Sequence, residues 1–521
     1  MGLTILIVFL VLLIFLLAFV LVRTSMFFQP VEPVEDVELP EIDAELIAGH
    51  LASVVRVETV SEGEEIPQDA GKFRELHYAL ETLYPRVHAT LEREIISDYS
   101  LLYTWKGSNP DLDPVLFCAH QDVVPADPGT LDQWTYKPFS GEIADGYVWG
   151  RGTLDIKVQM IGLMDAAEYL IKRSYTPERT IYLAFGQDEE IGGKNGAGKI
   201  AAELKARGVH LYAVLDEGGA IVSDTLPGLN NPVAMVGVAE KGYLSVKLKV
   251  TQTPGHSSTP PASSAIGILA RAITAVEDTP MAATIEPLRS TYQTLGPAVS
   301  PALQVVFANT WLFGPFLRKK LESNPQTNAS IRTTNAVTMI GGGIKDNVLP
   351  QKAEAIVNLR LMPGDSIADA CEHMLEAIDD ANVSLEAISD AAWEATSPSS
   401  TEELPFRQLS ASIRQAFPEV DVAPYIVLVA TDARHYAAIC DLVFRFTPLA
   451  LEKDDLSRMH GINERVAVPS LGRMTQFMVH LMKTWGASLS AEEAEEEAQA
   501  AAEKAAEEAV EAEIADEQAA A

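Results

Sequence analysis

Three short apolar runs, each followed by acidic or histidine side chains, constrain the fold of this chain most strongly. They are PVLFCA (114–119), TIYLAF (180–185) and LYAVL (211–215). Each run is typical of a strand that is buried on both faces. Apolar residues recur at helical spacing from Met160 to Ile171, between the first two runs. This strand–helix–strand order predicts an α/β layer with a largely parallel sheet.

Seven acidic or histidine residues lie just beyond these strands or in glycine-flanked loops: His120, Asp122, Asp155, Glu189, Glu190, Asp216 and His460. Ligands of open α/β sheets bind beyond the carboxyl ends of the strands, and acids that converge there repel each other unless a cation neutralises them. Histidine and carboxylate without thiolate suit Zn²⁺. Two histidines and three carboxylates exceed the needs of one zinc ion. They fit two metal ions about 3.5–4 Å apart that share one carboxylate.

Each of these residues has a simpler interpretation when it is taken alone. A histidine at a strand end is more often a hydrogen-bonded structural residue, and a pair of glutamates is usually part of a solvated loop. Asp216 could cap a helix. The joint pattern therefore indicates the metal site, and no single residue does.

The acidity of the chain excludes one class of partner. The formal net charge is −34, whereas nucleic acid binding needs clustered Lys and Arg. Residues 491–521 hold twelve acids and one lysine, so we predict an acidic Ala/Glu-rich tail at 488–521, either helical and solvated or disordered. The three cysteines, Cys118, Cys371 and Cys440, form no disulfide framework and no zinc pattern.

The N-terminus predicts a membrane anchor at residues 1–23. Residues 3–22 carry no charge and would span about 30 Å as a helix. A cleaved signal peptide is the alternative, but the stretch lacks a basic start and a small-residue cleavage site. We therefore predict a single-pass membrane protein. Arg23 is the only nearby basic residue, so the sequence does not determine on which side of the membrane the rest of the chain lies. Residues 24–40 are rich in proline and acids, which predicts an extended linker.

A second, smaller domain is indicated where the apolar period changes. Residues 242–250 and 351–363 alternate apolar and polar side chains, as in strands with one wet face. Residues 264–278 and 365–381 have a helical pattern. We predict an inserted α+β domain, with these boundaries: catalytic domain 41–242, inserted domain 243–398, and catalytic domain 399–487.

Motifs in a fixed order resemble those of a known family: HQD-VVP, GRGTLD-K, DEE-GG, LDEGG, GHSSTPP, DNVLP and MHG-NE. Over residues 41–485 the chain resembles the zinc metallopeptidases of the aminoacylase and carboxypeptidase S type. It is similar above all to the branch with carboxypeptidase S and the N-fatty-acyl-amino-acid synthase/hydrolase, and residues 311–340 are also similar to that branch. The resemblance implies a zinc-peptidase domain with a mostly parallel mixed sheet, and an inserted α+β domain that acts as lid and dimerisation surface.

The resemblance also implies five ligands for two Zn²⁺ ions: His120 and Asp216 on one ion, Glu190 and His460 on the other, and Asp155 bridging both. Co²⁺ or Mn²⁺ could substitute, since these ligands accept several ions. Asp122 would orient His120, and Glu189 would be the general base. The peptide bond between Asp155 and Ile156 would be cis. All seven positions carry the residue type that the family requires.

These roles imply a membrane-anchored di-zinc hydrolase that cleaves the amide bond of N-acyl amino acids, or of short peptides with a free carboxylate. A metal-activated water would attack the carbonyl, and Glu189 would carry the proton to the leaving amine. Two other classes stay open: a ligand-binding protein of the same fold without activity, and a membrane-tethered interaction protein that acts through its acidic tail. The presence of Glu189 disfavours the first.

His256 and the substrate-binding candidates each have more than one interpretation from the residues themselves. In TPGHSSTPP a turn histidine is the simpler interpretation of His256, whereas the resemblance implies a homodimer in which it reaches the partner's active site and stabilises the oxyanion. Arg360, on a strand, suits capture of a substrate carboxylate, and Asn347 and Arg434 are further candidates. Residues 305–317 could line a groove for an acyl chain, or pack in a core or dimer interface.

Overall fold

The structure is a computed structural model that describes residues 2–28, 33–63, 66–223, 229, 231–388, 392–452, 454–490 and 493. Most of the predicted acidic tail and part of the predicted linker lie outside these residues. The described chain divides into two compact units. The small unit takes its residues from Met1–Pro33, Ser223–Pro398 and Asp421–Arg434. The large unit takes its residues from Val34–Val222, Ser399–Val420 and His435–Ala521.

The α-helices of the described residues, in chain order, are α1 (Gly2–Phe27), α2 (Ala44–Val55), α3 (Ala70–Leu83), α4 (Pro85–Thr90), α5 (Lys157–Lys172), α6 (Ala197–Ala206), α7 (Ala265–Asp278), α8 (Arg289–Leu295), α9 (Pro301–Ala308), α10 (Thr310–Glu322), α11 (Pro325–Ala329), α12 (Ile367–Ile378), α13 (Leu404–Ala416), α14 (Ala433–Tyr436), α15 (Asp455–Arg458) and α16 (Val468–Gly486).

The strands are β1 (Glu92–Ile96), β2 (Ser100–Trp105), β3 (Val115–His120), β4 (Glu142–Ala144), β5 (Tyr147–Trp149), β6 (Ile181–Gly186), β7 (Ala213–Asp216), β8 (Ile221–Val222), β9 (Val233–Glu240), β10 (Gly242–Thr251), β11 (Gly255–His256), β12 (Thr334–Gly342), β13 (Val348–Leu349), β14 (Lys352–Leu361), β15 (Val383–Ala387), β16 (Asp421–Val427), β17 (Val443–Arg445), β18 (Ala450–Leu451) and β19 (Arg465–Ala467).

The large unit contains a mixed sheet in the order β1-β2-β6-β3-β7-β17. The pairs β6/β3, β3/β7 and β7/β17 are parallel, while β1/β2 and β2/β6 are antiparallel. Every residue of β3 and β6 is buried, as expected of strands covered by helices on both faces. In the core, Trp485 of α16 lies 5.6 Å from the ring of Phe117 in β3. The predicted α/β fold with a mostly parallel sheet is confirmed.

The register of the parallel strands brings their carboxyl ends to one edge of the sheet. His120, the last residue of β3, pairs with Gly186, the last residue of β6. A second, three-stranded sheet, β19-β5-β4, pairs Arg465 with Trp149. This pairing ties the chain that follows His460 to the strand that precedes Asp155.

The small unit contains a four-stranded antiparallel sheet in the order β12-β14-β10-β15. The predicted alternation in β10 is confirmed, because Leu244, Val246, Leu248 and Val250 are buried and the residues between them are partly exposed. Helices α7 and α12 cover this apolar face. The unit also contains the parallel pair β9/β16 and the two-stranded β11/β13. The predicted domain boundaries stay a prediction.

Helix α1 is the one described helix that is long and apolar enough to cross a membrane. It continues to Phe27, four residues beyond the predicted end of the anchor at Arg23. The described part of the predicted linker is irregular and is held at two points. Gln415 donates to the carbonyl of Glu35 (3.1 Å), and Gln476 donates to that of Pro40 (2.8 Å).

Candidate active site

The cluster of candidate ligands is built where β3, β6 and β7 end. His120 is the final residue of β3, and Glu189 and Glu190 lie in the loop after β6. Glu217 follows the last residue of β7. The loop before α5 brings Asp155 to the same place, and the loop after α15 brings His460. All of these residues belong to the large unit.

Asp155 lies between the two histidines. Its Oδ1 is 3.1 Å from Nε2 of His120, and its Oδ2 is 2.8 Å from Nε2 of His460. The peptide bond from Asp155 to Ile156 is cis, which confirms that prediction. Each carboxylate oxygen of Asp155 thus faces a different imidazole, as a ligand that bridges two cations would.

Two groups of ligating atoms surround this central carboxylate. On one side, His120 Nε2 lies 3.1 Å from Glu217 Oε1 and 4.0 Å from Glu189 Oε2. On the other side, His460 Nε2 lies 3.2 Å from Glu190 Oε2. The His120 side chain is only 1% exposed, whereas that of His460 is 55% exposed. The cluster therefore runs from the buried sheet edge out to solvent.

The pKa values of the carboxyl and imidazole groups in the cluster are shifted in the direction that favours a bound cation. Burial raises the pKa of Glu217 to about 8. Hydrogen bonds that His460 donates to Asp155 and Glu190 raise the pKa of His460 to about 10. Burial and the nearby charge of Asp155 raise the pKa of Glu190. Protons therefore compensate carboxylates that cannot all ionise together, and a divalent cation would displace those protons.

The donor set fits such a cation. Within the described residues, the groups of side chains whose ligating atoms lie within 4.8 Å of one another are His120 with Asp155 and Glu190, and His120 with Glu189 and Glu217. Imidazole nitrogens and carboxylate oxygens, without thiolate, suit zinc and similar borderline ions. The residues present can therefore hold a metal ion.

Asp122 fixes His120 and the glutamate loop together. Its Oδ1 is 3.3 Å from Nδ1 of His120, whose Nδ1 also lies 2.9 Å from the Asp122 carbonyl. Its two carboxylate oxygens accept from the backbone N–H of Glu189 (3.2 Å) and Glu190 (3.3 Å), and Ser61 donates to Oδ2 (2.7 Å). Acceptors at Nδ1 leave Nε2 of His120 free to face the cluster.

Glu464 is a positioning residue to which the sequence analysis gave no role. It is fully buried, and its Oε1 accepts from the backbone N–H of Gly152 (2.9 Å), Leu154 (2.7 Å) and Asp155 (3.2 Å). Its Oε2 pairs with Arg151 at 2.6 Å. Glu464 follows His460 by four residues, so it joins the loops that carry two ligands. The signal in the sequence was the acid at the end of the MHGINE motif.

The structure places Glu217, the neighbour of the predicted ligand Asp216, against His120, and the predicted role of Asp216 stays a prediction. Asp216 is the buried last residue of β7, and the ligating groups of the described chain do not include it. Glu217 comes after the strand has ended and turns its carboxylate to His120. Two adjacent acids in LDEGG gave the sequence analysis no means of telling which one faces the site.

The remaining candidates lie in the small unit. His256 is exposed on β11 and pairs with Val348, and the N–H of Ser257 donates to the carbonyl of Asn347 (3.2 Å). The short β11/β13 ladder thus brings His256 and Asn347 together, as the sequence could not show. Their predicted roles stay predictions.

Arg360 and Arg434 lie at the two ends of an aromatic stack. The guanidinium carbon of Arg360 is 4.7 Å from the ring centre of Tyr243, and that of Arg434 is 4.3 Å from the ring of Trp393. The two rings stack at 4.9 Å with an interplanar angle of 18°. Burial lowers the pKa of Arg360. The stack fixes two cations in one place, which is compatible with their predicted task.

The family model described as Peptidase family M20/M25/M40 matches residues 116–484. The chain belongs to this peptidase family. It is therefore a metal-dependent hydrolase, and the predicted family is confirmed.

Relatives within the family cover most of the chain. It is 40% identical to the probable carboxypeptidase S-like 2 of Dictyostelium discoideum, over 84% of both proteins. It is 37% identical to the N-fatty-acyl-amino acid synthase/hydrolase PM20D1 of Xenopus tropicalis, over 92% of this chain and 95% of that protein. It is 31% identical to carboxypeptidase S of Saccharomyces cerevisiae, over 80% of both.

Solved structures show the same fold. The M20 family metallo-carboxypeptidase Sso-CP2 from Sulfolobus solfataricus is similar with a TM-score of 0.62 and 16% identity, over 85% of this chain and 100% of that chain. Human carnosine dipeptidase 1 is similar with a TM-score of 0.57 and 16% identity, over 85% of this chain and 96% of that chain. At this identity the likeness concerns the fold alone.

The choice between Asp216 and Glu217 as metal ligand can be tested by metal content. We expect Glu217→Gln to weaken metal binding at least tenfold, since even partners of metal ligands contribute about 10–100-fold. Asp216→Asn, the matched control at the next position, should retain more metal. Elemental analysis after dialysis against a graded chelator measures both, with circular dichroism as the check of folding. Loss of metal in Asp216→Asn alone would restore the original assignment.

Proposed function

We propose that this M20-family hydrolase cleaves the amide bond of N-acyl amino acids with two zinc ions and Glu189 as general base. The observation that carries the proposal is the Asp155 carboxylate, which faces one histidine with each oxygen. Glu189 reaches within 4.0 Å of His120 on the same side of the cluster. A relative that aligns with 92% of the chain carries the name N-fatty-acyl-amino acid synthase/hydrolase, which supports the substrate class.

The proposed metal sites follow the two sides of Asp155. The sequence predicts Asp216, and the geometry favours Glu217, as the second ligand of the ion that His120 would hold. His460 and Glu190 would hold the other ion, and Asp155 both. Bound there, zinc supplies Lewis acidity that makes a water nucleophilic near neutral pH and polarises the amide carbonyl. Co²⁺ or Mn²⁺ would also suit these ligands.

Glu189 is the group that moves the proton in this proposal. Its backbone N–H donates to Oδ1 of Asp122, and its side chain is 13% exposed, so the carboxylate is held in place and is partly accessible. It takes a proton from the attacking water as the carbon–oxygen bond forms. It then gives that proton to the amide nitrogen as the carbon–nitrogen bond breaks, and a free amino acid and a carboxylic acid leave.

The carboxylate of the substrate needs a cationic partner, and the small unit offers two. Arg360 and Arg434 are held in place by Tyr243 and Trp393. A planar guanidinium fits a carboxylate with two parallel hydrogen bonds. We propose Arg360 for this task, with Asn347 and Arg434 as further contacts.

We further propose that α1 anchors the protein in a membrane and that the protein is a homodimer. Helix α1 is apolar over more than the length that a bilayer requires. The edge strand β12 and the turn after it expose Met339, Ile340 and Ile344, which suit burial against a second copy. His256 is exposed on the same unit and is available to a partner's active site.

Replacing Glu189 by Gln tests the general base. We expect Glu189→Gln to retain metal and to lower kcat by about 10²–10⁴-fold, the usual contribution of a positioned base. Glu203→Gln, an exposed glutamate on α6, is the control and should leave kcat unchanged. Steady-state kinetics with metal content measured on the same samples decides. Near-normal turnover of Glu189→Gln would remove it as the base.

The substrate class is tested by a matched panel on the full-length protein in detergent micelles. N-acetyl, N-oleoyl and dipeptide amides of one amino acid should be cleaved only before chelation, and the oleoyl compound fastest. Preference for the dipeptide would make the protein a carboxypeptidase. No cleavage of any compound by metal-replete protein would reject the proposed reaction.

The shared site predicts complementation between two inactive variants. His256→Ala should lower kcat by about 10²–10³-fold, as loss of an oxyanion donor does, while metal is retained. Mixed dimers of His256→Ala and Glu189→Gln contain one intact composite site, so mixing should recover about a quarter of wild-type activity if subunits exchange at random. His210→Ala, an exposed histidine elsewhere, serves as the control and should have wild-type activity. Subunit exchange without recovery would refute the shared site.

A further inference from the structure

Helix α10 turns an apolar face outward beside the end of α1. Trp311, Leu312 and Phe316 are 50%, 42% and 72% exposed, while Gly314 and Leu317 on the opposite face are buried. Leu312 and Phe316 are four positions apart and lie on one side of the helix, and the exposed Trp311 borders them, so the three apolar side chains form one outward surface. We call these three residues the apolar face of α10.

The end of α1 is fixed against the helices of the small unit. Asn309, between α9 and α10, is fully buried and donates to Oγ1 of Thr24 (3.0 Å) and the carbonyl of Val20 (3.4 Å). In return, Nε of Arg23 donates to the carbonyl of Ala308 (3.1 Å). These bonds hold the start of α10 against the last apolar turn of α1.

Two phenylalanines at the end of α1 strengthen this attachment. Phe27 packs against the core cluster that includes Tyr292, Phe307 and Leu317. The ring of Phe28 lies directly on Gly296, where a Cβ would come within 1.7 Å of it. The position of α10 relative to α1 is therefore set by packing.

In a bilayer that α1 crosses, these contacts would place the apolar face of α10 at the membrane interface. Trp311 makes an edge-to-face contact with Phe19, at 5.9 Å between ring centres. Phe19 precedes Arg23, the first charge after the apolar segment, by four residues, or about 6 Å along the helix. Tryptophan is enriched at this depth, where one side of the ring meets hydrocarbon and the other meets headgroups.

The charges of α10 suit the same surface. Arg318, Lys319 and Lys320 are exposed at its C-terminal end, beyond the apolar face. Glu322 does not cancel them, because it pairs with Arg332. In a chain of net charge −34, which anionic headgroups repel, a run of three basic residues allows this one surface to approach them.

We propose that the apolar face of α10 inserts into the headgroup region of the bilayer that α1 crosses, with the basic end of α10 on the lipid phosphates. This inference rests on the proposed anchoring by α1. It makes the anchored protein lie on the membrane by a second, interfacial contact, as amphipathic helices do. The partner is the lipid surface, and a second copy of the chain is the competing occupant.

The experiment uses the full-length protein in nanodiscs that contain anionic lipid, in a Cys371→Ser background. Nitroxide labels are placed by three substitutions: Phe316→Cys on α10, Leu12→Cys in the middle of α1, and Tyr78→Cys on α3. Tyr78 is 71% exposed, which matches Phe316. Relaxation by oxygen, which concentrates in lipid, is compared with relaxation by a soluble nickel chelate.

We expect the oxygen-to-nickel ratio at position 316 to exceed that at position 78 several-fold and to approach that at position 12. Equal ratios at 316 and 78, with a high ratio at 12, would overturn the inference and leave the anchor intact. A low ratio at 12 would reject the anchor and the inference together. Dipolar broadening between labels at 316 would assign the face to a second copy. Hydrolysis by the unlabelled protein tests the proposed reaction separately.

Discussion

The carboxylate of Asp155 is the group on which the rest of the site depends. Its two oxygens face His120 and His460, which are far apart in the sequence. The Asp155 carboxylate is partly buried, and the hydrogen bonds that it accepts from both histidines keep its pKa below the ordinary value although desolvation alone would raise it. Glu190 and Glu217 have raised pKa values and therefore retain protons that a bound metal ion would replace. This arrangement suits a metal-dependent family.

The arrangement requires loops to be held more rigidly than loops usually are. Glu464 accepts hydrogen bonds from three backbone N–H groups between Gly152 and Asp155. Asp122 accepts from the backbone N–H groups of Glu189 and Glu190. Buried carboxylates thus take the place of secondary structure in satisfying these donors. Ligand positions defined by such supports are more precise than side chains on free loops could provide. The parallel sheet brings the loops to one edge, and the two acids hold them there.

The sequence predicted the parallel sheet and most of the cluster because both depend on local patterns. Buried runs that end in His120, in the DEE motif and in LDEGG are visible without coordinates. The proximity of Glu217 to His120 was not visible, because the alternation of a strand no longer holds once the strand has ended. The role of Glu464 was also hidden, since its partners are backbone groups more than three hundred residues away. Contacts of that range leave no periodic signal in a sequence.

The environment of the apolar stretch 305–317 could not be predicted from the sequence either. Composition alone allowed an acyl groove, core packing or a dimer interface. Helices α9 and α10 divide the stretch between the core of the small unit and an outward surface. Phe307 and Leu317 belong to the core of the small unit, whereas Trp311 and Phe316 face outward beside α1. When both faces of a helix are apolar, the number of apolar residues does not show which face is buried in the core. The role of the outward face becomes clear only from the element that lies beside it. That neighbour is a helix more than 280 residues earlier in the chain, joined through Arg23 and Ala308. The exposed apolar residues of α10 can therefore be interpreted only once the position of α1 beside them is known.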